Sequence, residues 1–324
     1  MVDPYASDPI DFLRPRDAGD VLSDSLTFIR DHFVEIGRSL LYIAGPPFLL
    51  SLLVSFFYQD EAVAMNPLLN PGSIFDPEAA DVSLGFTYLL LGLLSTVTAL
   101  LATGVGFAYT RLYVEGDGTQ PIEVAEVWQK TKGMLAPLFL YPIGLYLLLV
   151  VSMVILLVPI AGWIAWPIGF VYVLPIMWMA IPTRLAGERG LFASLRRARH
   201  LLDGYWWQTL WLIILVVVLC VVITVALSIP SIALGAALGA LGGGEVDLLS
   251  RVVLTLSGLV GSLVYVLYVF YGVSAMMHYY NLVTKQEGAP VPDLEGRIDA
   301  IGRDDDAGWD DAGWDEGRDA DRLR

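Results

Sequence analysis

Lysine is nearly missing from this sequence, at only 3 of 19 cationic residues, and there is one cysteine and only three histidines. Charge is absent altogether from five long stretches. Each absence excludes something. A single Cys220 allows no intrachain disulfide and no thiolate metal cluster. His32, His200 and His278 are scattered, with no HExxH pattern and no carboxylate at ligand spacing, so no metal site is expected. Neither GxSxG nor a phosphate-binding loop occurs, and the glycines at 235, 239, 242, 243 and 244 follow no strand, so they are no dinucleotide fingerprint. Gly235 and Gly239 match GxxxG, a spacing that lets helices approach closely. An intramembrane hydrolase or proton pump needs ionisable residues at depth. His278 is the sole candidate, and it stands about 9 Å along a helix from Thr284, so it is expected to reach the interface. No catalytic residue, cofactor or metal is expected.

What is present is apolar. A chain of 324 residues with 56% hydrophobic and 16% charged residues belongs to the membrane class. Its charge-free runs are 39–59, 82–110, 133–183, 204–244 and 252–284, and a span needs about 20 residues. The 51-residue run 133–183 would measure about 76 Å as one helix against a hydrocarbon core of about 30 Å, so it must fold back as two spans. Pro159, Gly162 and Pro167 supply the break. From 204 on, Trp207 to Ile229 makes a span, and the glycine-rich piece from Pro230 to Gly244 is expected to form a short interfacial or re-entrant helix. Gly45, Pro46 and Pro47 should bend span one. In span two, Ala102 and Gly106 form a small-xxx-small pair where another helix could approach.

The expected fold is all-α, a polytopic membrane protein with about six transmembrane helices and three cytoplasmic interfacial amphipathic helices. Residues 1–16 form a polar lead-in, 17–285 the six-span membrane domain, and 286–324 an acidic tail whose composition predicts disorder. Lys and Arg cluster in the N-terminal region, after spans two and four, and in the tail; the opposite loops hold only Arg251. The positive-inside rule then puts both termini in the cytoplasm, with the chain in the cytoplasmic membrane. MVDPYASDPIDF lacks an apolar core, so no cleavable signal peptide is expected. The net charge of −15 argues against nucleic acid as a partner, and an Asp-rich, Lys-poor exterior suits a high-salt cytoplasm.

Three stretches share one apolar spacing: Leu22, Leu26, Ile29 and Phe33; Val124, Trp128, Thr131 and Leu135; Leu191, Leu195, Ala198 and Leu202. Each leads into an apolar run, which suggests a repeated unit of surface helix plus hairpin, although any amphipathic helix has this spacing. The third stretch, LFASLRRARHLLDGYWW, carries Arg196, Arg197 and His200 opposite its apolar stripe, and ends in Tyr205, Trp206 and Trp207, rings suited to a membrane interface. Arg196, Arg197, Arg199, Trp206 and Trp207 are the candidate membrane-surface residues, with membrane lipids as partners. Each arginine would add about 1 kcal/mol of attraction to an anionic leaflet. The tail's tandem DDAGW makes Trp309 and Trp314 candidates for binding a protein partner.

Three passages, GDVLSDSLTFIRDHFVEIGRSLL (19–41), FASLRRARHLLDGYWWQTLWLII (192–214) and YYNLVTKQEG (279–288), resemble prokaryotic six-span proteins. These are related to the membrane domain found with some glycerophosphodiester phosphodiesterases, and to sister families of unknown function. The resemblance covers roughly residues 17–290 and implies fold, topology and membrane location. In that family the hydrolase is a separate barrel with histidine, glutamate and aspartate metal ligands; this chain has no such barrel, so the activity is not implied. The reading is a non-catalytic membrane protein that organises or assists partners through its cytoplasmic helices or acidic tail. The alternative is a carrier of a lipid or apolar solute, and less favoured is a membrane enzyme.

Overall fold

The computed structural model describes residues 12, 14–58, 82–116, 121–158, 160–187, 190–242 and 248–288. The loop 60–81 and the tail from 289, with Trp309 and Trp314, lie outside the described residues, as do residues 1–11 of the lead-in. Among the described residues the chain is about 90% helical with no strand. Helix α1 is Ala18–Asp31, α2 Phe33–Ile43, α3 Gly45–Phe57, α4 Val82–Glu115, α5 Val124–Ser152, α6 Ala161–Gly187, α7 Leu191–Leu201, α8 Trp206–Gly242, α9 Leu248–Gly261 and α10 Val264–Glu287. Four segments are long and apolar enough to cross a membrane: Phe86–Glu115, Ala161–Gly187, Trp206–Leu234 and Leu248–Glu287, the last made of α9 and α10. A fifth results if α2 and α3, bent by 60°, form one span.

Local chemistry explains the breaks. Asp20 accepts a hydrogen bond from the Asp17 backbone N–H at 3.3 Å, closing the start of α1 as its acidic cap predicts. Pro46 and Pro47 occupy the first turn of α3, where their missing N–H groups cost nothing, while they end α2. The long run 133–183 does fold back, through a 3₁₀ turn at Met153–Leu157 and a positive φ of 63° at Ile160. Gly162 is required there: a Cβ on it would lie 1.9 Å from the Ile155 carbonyl oxygen. Pro167 sits within α6, past the reversal.

Two expected elements are merged with their neighbours. The second amphipathic stretch has no stop signal before Gly133 and is the first part of the continuous α5. The segment from Pro230 is likewise no separate helix, since α8 runs through it to Gly242. The apolar stripes also shift. In α1 the buried positions are Val21, Ser25, Phe28 and Ile29, whereas Leu26, and Phe33 just beyond, are exposed. In α5 the buried line is Val127, Thr131, Met134 and Leu138, with Trp128 exposed.

The core sits at one end of the bundle. Buried residues of α4 (Leu101 to Tyr113), α5 (Val127 to Leu138), α6 (Trp178 to Leu185), α8 (Leu210 to Val216) and α10 (Val269 to Leu282) surround it, and Arg16, Arg111, Lys130, Arg197 and Lys285 belong to the same end. At the other end Phe86, Tyr146, Trp163, Val221 and Leu256 are exposed. Helix α4 is the central post. A Cβ on Gly104 would lie 2.8 Å from Thr131 of α5, and one on Gly106 only 2.4 Å from the Val269 carbonyl oxygen of α10. The small-residue face at Ala102 and Gly106 is thus where α10 approaches, with Gly272 opposite. Hydroxyls in these apolar helices bond their own backbone: Thr98 to Leu94, Thr103 to Ala99, Thr110 to Gly106 and Thr183 to Met179. Such bonds let polar residues sit where water is absent.

Candidate functional site at the basic end of the bundle

Helix α7 lies on α6. Its inward side is Ser194, Ala198 and Leu201, continued by Leu202, with Leu191 and Leu195 half-buried against the same core. The predicted stripe is therefore right for Ala198 and Leu202. Of the expected outward face, Arg196 and His200 are exposed, and Arg199 is exposed beside them. Arg197 is not: it is half-buried and forms an ion pair with Glu287 at the end of α10. A turn through Gly204, with φ of 81°, leads into α8. Trp206 is half-buried; its indole N–H donates to the Tyr172 carbonyl at 3.3 Å and its ring stacks on Tyr172. Trp207 is exposed and meets Trp206 edge-on at 4.7 Å. Of the two tryptophans, one is bound to protein and one faces out.

The sequence reading missed a polar knot around Arg16. Its carbonyl oxygen accepts from Gln208 (3.0 Å), Asn281 (3.1 Å) and Lys285 (2.5 Å), and its backbone N–H donates to Asn281 Oδ1 at 2.7 Å. Its guanidinium, almost fully buried, meets Asp24 of α1 at 2.6 Å. Nearby, Phe12 is buried among Phe28, Tyr113 and Tyr280, within the protein instead of at the interface. Together these contacts strap the chain before α1 across α8 and α10, so the end of the lead-in is part of the folded body. The available signal was Asn281, whose carboxamide offers both a donor and an acceptor inside an apolar run.

His278 corrects another expectation, because it is fully buried and does not reach the interface. Its Nε2 is 2.8 Å from Thr209 Oγ1, and its ring lies 5.8 Å from Trp178. Thr209 Oγ1 also lies 3.1 Å from the Tyr205 carbonyl, and the tautomer of the ring sets the direction of its bond with Nε2. Among the described residues Nδ1 has no hydrogen-bond partner. No group of three His, Cys, Asp or Glu among the described residues could hold a metal ion.

Two cavities among the described residues lie away from the Arg16 knot. One, of about 640 Å³, lies between α2, α4 and the start of α5 and is lined by His32, Glu35, Arg38, Tyr109, Tyr113 and Glu123. Its carboxylates outnumber its cations, and His32 Nδ1 is already engaged with the Phe28 carbonyl at 3.0 Å. The other, of about 420 Å³, is an apolar groove between α8 and α10 past the end of the core, bounded by Val217, Cys220, Thr224, Leu267, Tyr268 and Tyr271. Comparison of the chain with protein-family models, with curated proteins and with solved structures gives no match.

Proposed function

We propose that this chain is a non-catalytic, six-span protein of a prokaryotic cytoplasmic membrane that organises or assists a protein partner on its cytoplasmic side. The supporting observation is the approach of α4 and α10 at Gly106 and Gly272, tight enough that a Cβ on either glycine would strike backbone of the other helix. A bundle closed in this way at its basic end suits a scaffold better than a conduit. Above that closure, α7 offers Arg196, Arg199 and His200 to the surroundings while its other side is occupied by the protein. The resemblance of residues 17–290 to six-span membrane domains supports the same reading.

The sixth span is α5. Its stretch from Gly133 to Ser152 is free of charge, and at about 30 Å for 20 residues it matches the hydrocarbon thickness. Orientation rests on the clustering of Lys and Arg at the end that holds α7 and the Arg16 knot. In a Cys220→Ser background, single cysteines at His200 and at Leu248, both exposed, should be labelled from the cytoplasmic and outer sides respectively. Labelling of both from one side would refute the topology.

The functional reading is tested by affinity purification from native membranes with mass spectrometry. A stoichiometric companion should be recovered with the wild type and lost with Arg196→Glu/Arg199→Glu. Recovery of the chain without any companion, also after crosslinking, would overturn it. A second reading, handling of a lipid or apolar solute, is favoured by the groove at Cys220 and Tyr268. A photoreactive side chain at Val221 should then crosslink to one apolar compound selectively, and crosslinking to bulk lipid alone would count against it.

A further inference from the structure

We propose that Arg111, Lys130 and Arg184 form a binding site for a phosphoryl group at the height of the lipid headgroups. The sequence puts all three at the membrane border. Arg111 directly follows the charge-free run 82–110, Lys130 shortly precedes the run 133–183, and Arg184 directly follows it. Folding brings the three together around a cavity of about 430 Å³ between α4, α5 and α6, with Gln129, Met134 and Pro137 also in its wall.

Charge is unbalanced there. Glu115 is the carboxylate in contact, 2.7 Å from Arg111 Nε and 2.6 Å from Lys130 Nζ. It fixes both cations and neutralises one. Arg111 is further held by the Leu185 carbonyl, which accepts from its guanidinium. Arg184 has no ion pair or hydrogen bond with any described residue. Among the described residues two of the three positive charges are left over, and the site is partly withdrawn from solvent, with Arg111 at 17% and Lys130 at 26% exposure. Attraction for an anion is stronger there than on an open surface.

Guanidinium groups match a phosphate by paired N–H donors, and lysine adds a point charge. Apart from Gln129, which adds one carboxamide, the rest of the wall, Gly133, Met134, Ala136, Pro137 and Leu185, has no hydrogen-bonding side chain. Such a wall suits the glycerol and upper acyl region of a lipid that presents its phosphate to the three cations. This inference rests on the chain lying in a bilayer and is independent of whether it organises a partner. It also differs from attraction to the exposed arginines of α7, which line none of the three cavities described.

The test uses the full-length protein in non-ionic detergent and native mass spectrometry, with phosphatidylglycerol, phosphatidylcholine and inorganic phosphate as separate probes. Phosphatidylglycerol should be retained at least tenfold better than phosphatidylcholine. Lys130→Gln/Arg184→Gln should abolish that preference, while Arg196→Gln/Arg199→Gln should keep it. Arg184→Gln alone breaks no ion pair or hydrogen bond among the described residues, so it should fold and still lose most of the preference. Should the double variant fold poorly, that single variant decides. Inorganic phosphate that raises the melting temperature of the wild type but not of Arg184→Gln, with no retained lipid, would keep the phosphoryl site and remove the lipid from it. Equal retention of the two lipids with no effect of phosphate would overturn the proposal, as would unchanged preference in Arg184→Gln. Loss of the preference only in Arg196→Gln/Arg199→Gln would assign the effect to the open surface and overturn it as well.

Discussion

Gly106 of α4 and Gly272 of α10 meet backbone to backbone: a Cβ on Gly106 would lie 2.4 Å from the Val269 carbonyl oxygen, and one on Gly272 would lie 2.7 Å from that of Thr103. In a bilayer, where lipid is as apolar as leucine, this contact between backbones is what favours association of the two helices. Gly106→Ala should therefore force α10 away from α4 at a cost of about 1–3 kcal/mol. Gly37→Ala, in α2 with no atom within 4 Å of the added Cβ, should instead stabilise by roughly 0.5–1 kcal/mol. Thermal unfolding in detergent separates them: the two midpoints should move in opposite directions.

Thr209 and His278 give a second prediction. Thr209→Val keeps the shape and removes the partner of Nε2, leaving a fully buried imidazole with no partner at either nitrogen among the described residues. A loss of about 1–3 kcal/mol is expected. His278→Phe should cost less when made together with Thr209→Val than the two single changes cost in sum, since it removes the stranded imidazole. Additive losses in a double-mutant cycle would mean that the contact contributes nothing.

Asn281 should hold the segment before α1. Asn281→Leu removes the 2.7 Å acceptor of the Arg16 backbone N–H and one of the three donors to its carbonyl among the described residues. The Arg16–Asp17 bond, protected because Arg16 is 3% exposed, should then be cut by trypsin at least tenfold faster. Unchanged cleavage would show that Gln208, Lys285 and Asp24 suffice.

How much of this was legible follows from the solvent. Charge-free length marks a span whatever its neighbours, so the apolar segments, the reversal within 133–183 and the bend at Pro46 could be read directly. Which apolar side faces protein could not. Leu22 and Leu26 lie along one edge of the broad apolar face of α1, and Val21 and Phe28, along its other edge, are the ones buried. Continuity also escaped the reading. Nothing in the residues around Gly133 stops a helix, and Pro230 removes one N–H without ending α8. Depth of a polar residue was misread for a similar reason: distance from the end of a run placed His278 near the interface, but Trp178 and Thr209 from other helices bury it. Long-range partners such as Arg16 and Asn281, 265 residues apart, leave no local trace.

The arginines of α7 carry the last prediction. Sequence alone makes them lipid anchors of equal rank, so that replacing Arg196, Arg197 and Arg199 by Gln, and then by Glu, should expose the helix in steps. The structure divides them. Arg197 is paired with Glu287, and α7 is already held by Ser194, Ala198 and Leu201 against the bundle. A spin label at His200 should therefore keep its wild-type accessibility in Arg196→Gln/Arg199→Gln. Arg197→Gln removes an ion pair between partly exposed groups, worth about 0.2–1 kcal/mol, and should change the label's mobility only slightly. Ala198→Leu is the change that should release the helix, because Ala198 has no accessible surface and the added carbons would overpack the contact by about 1–3 kcal/mol. If instead the double Gln variant exposes the label and Ala198→Leu does not, lipid headgroups and not the protein hold α7, and its outward face is then committed to the membrane and unavailable to a partner.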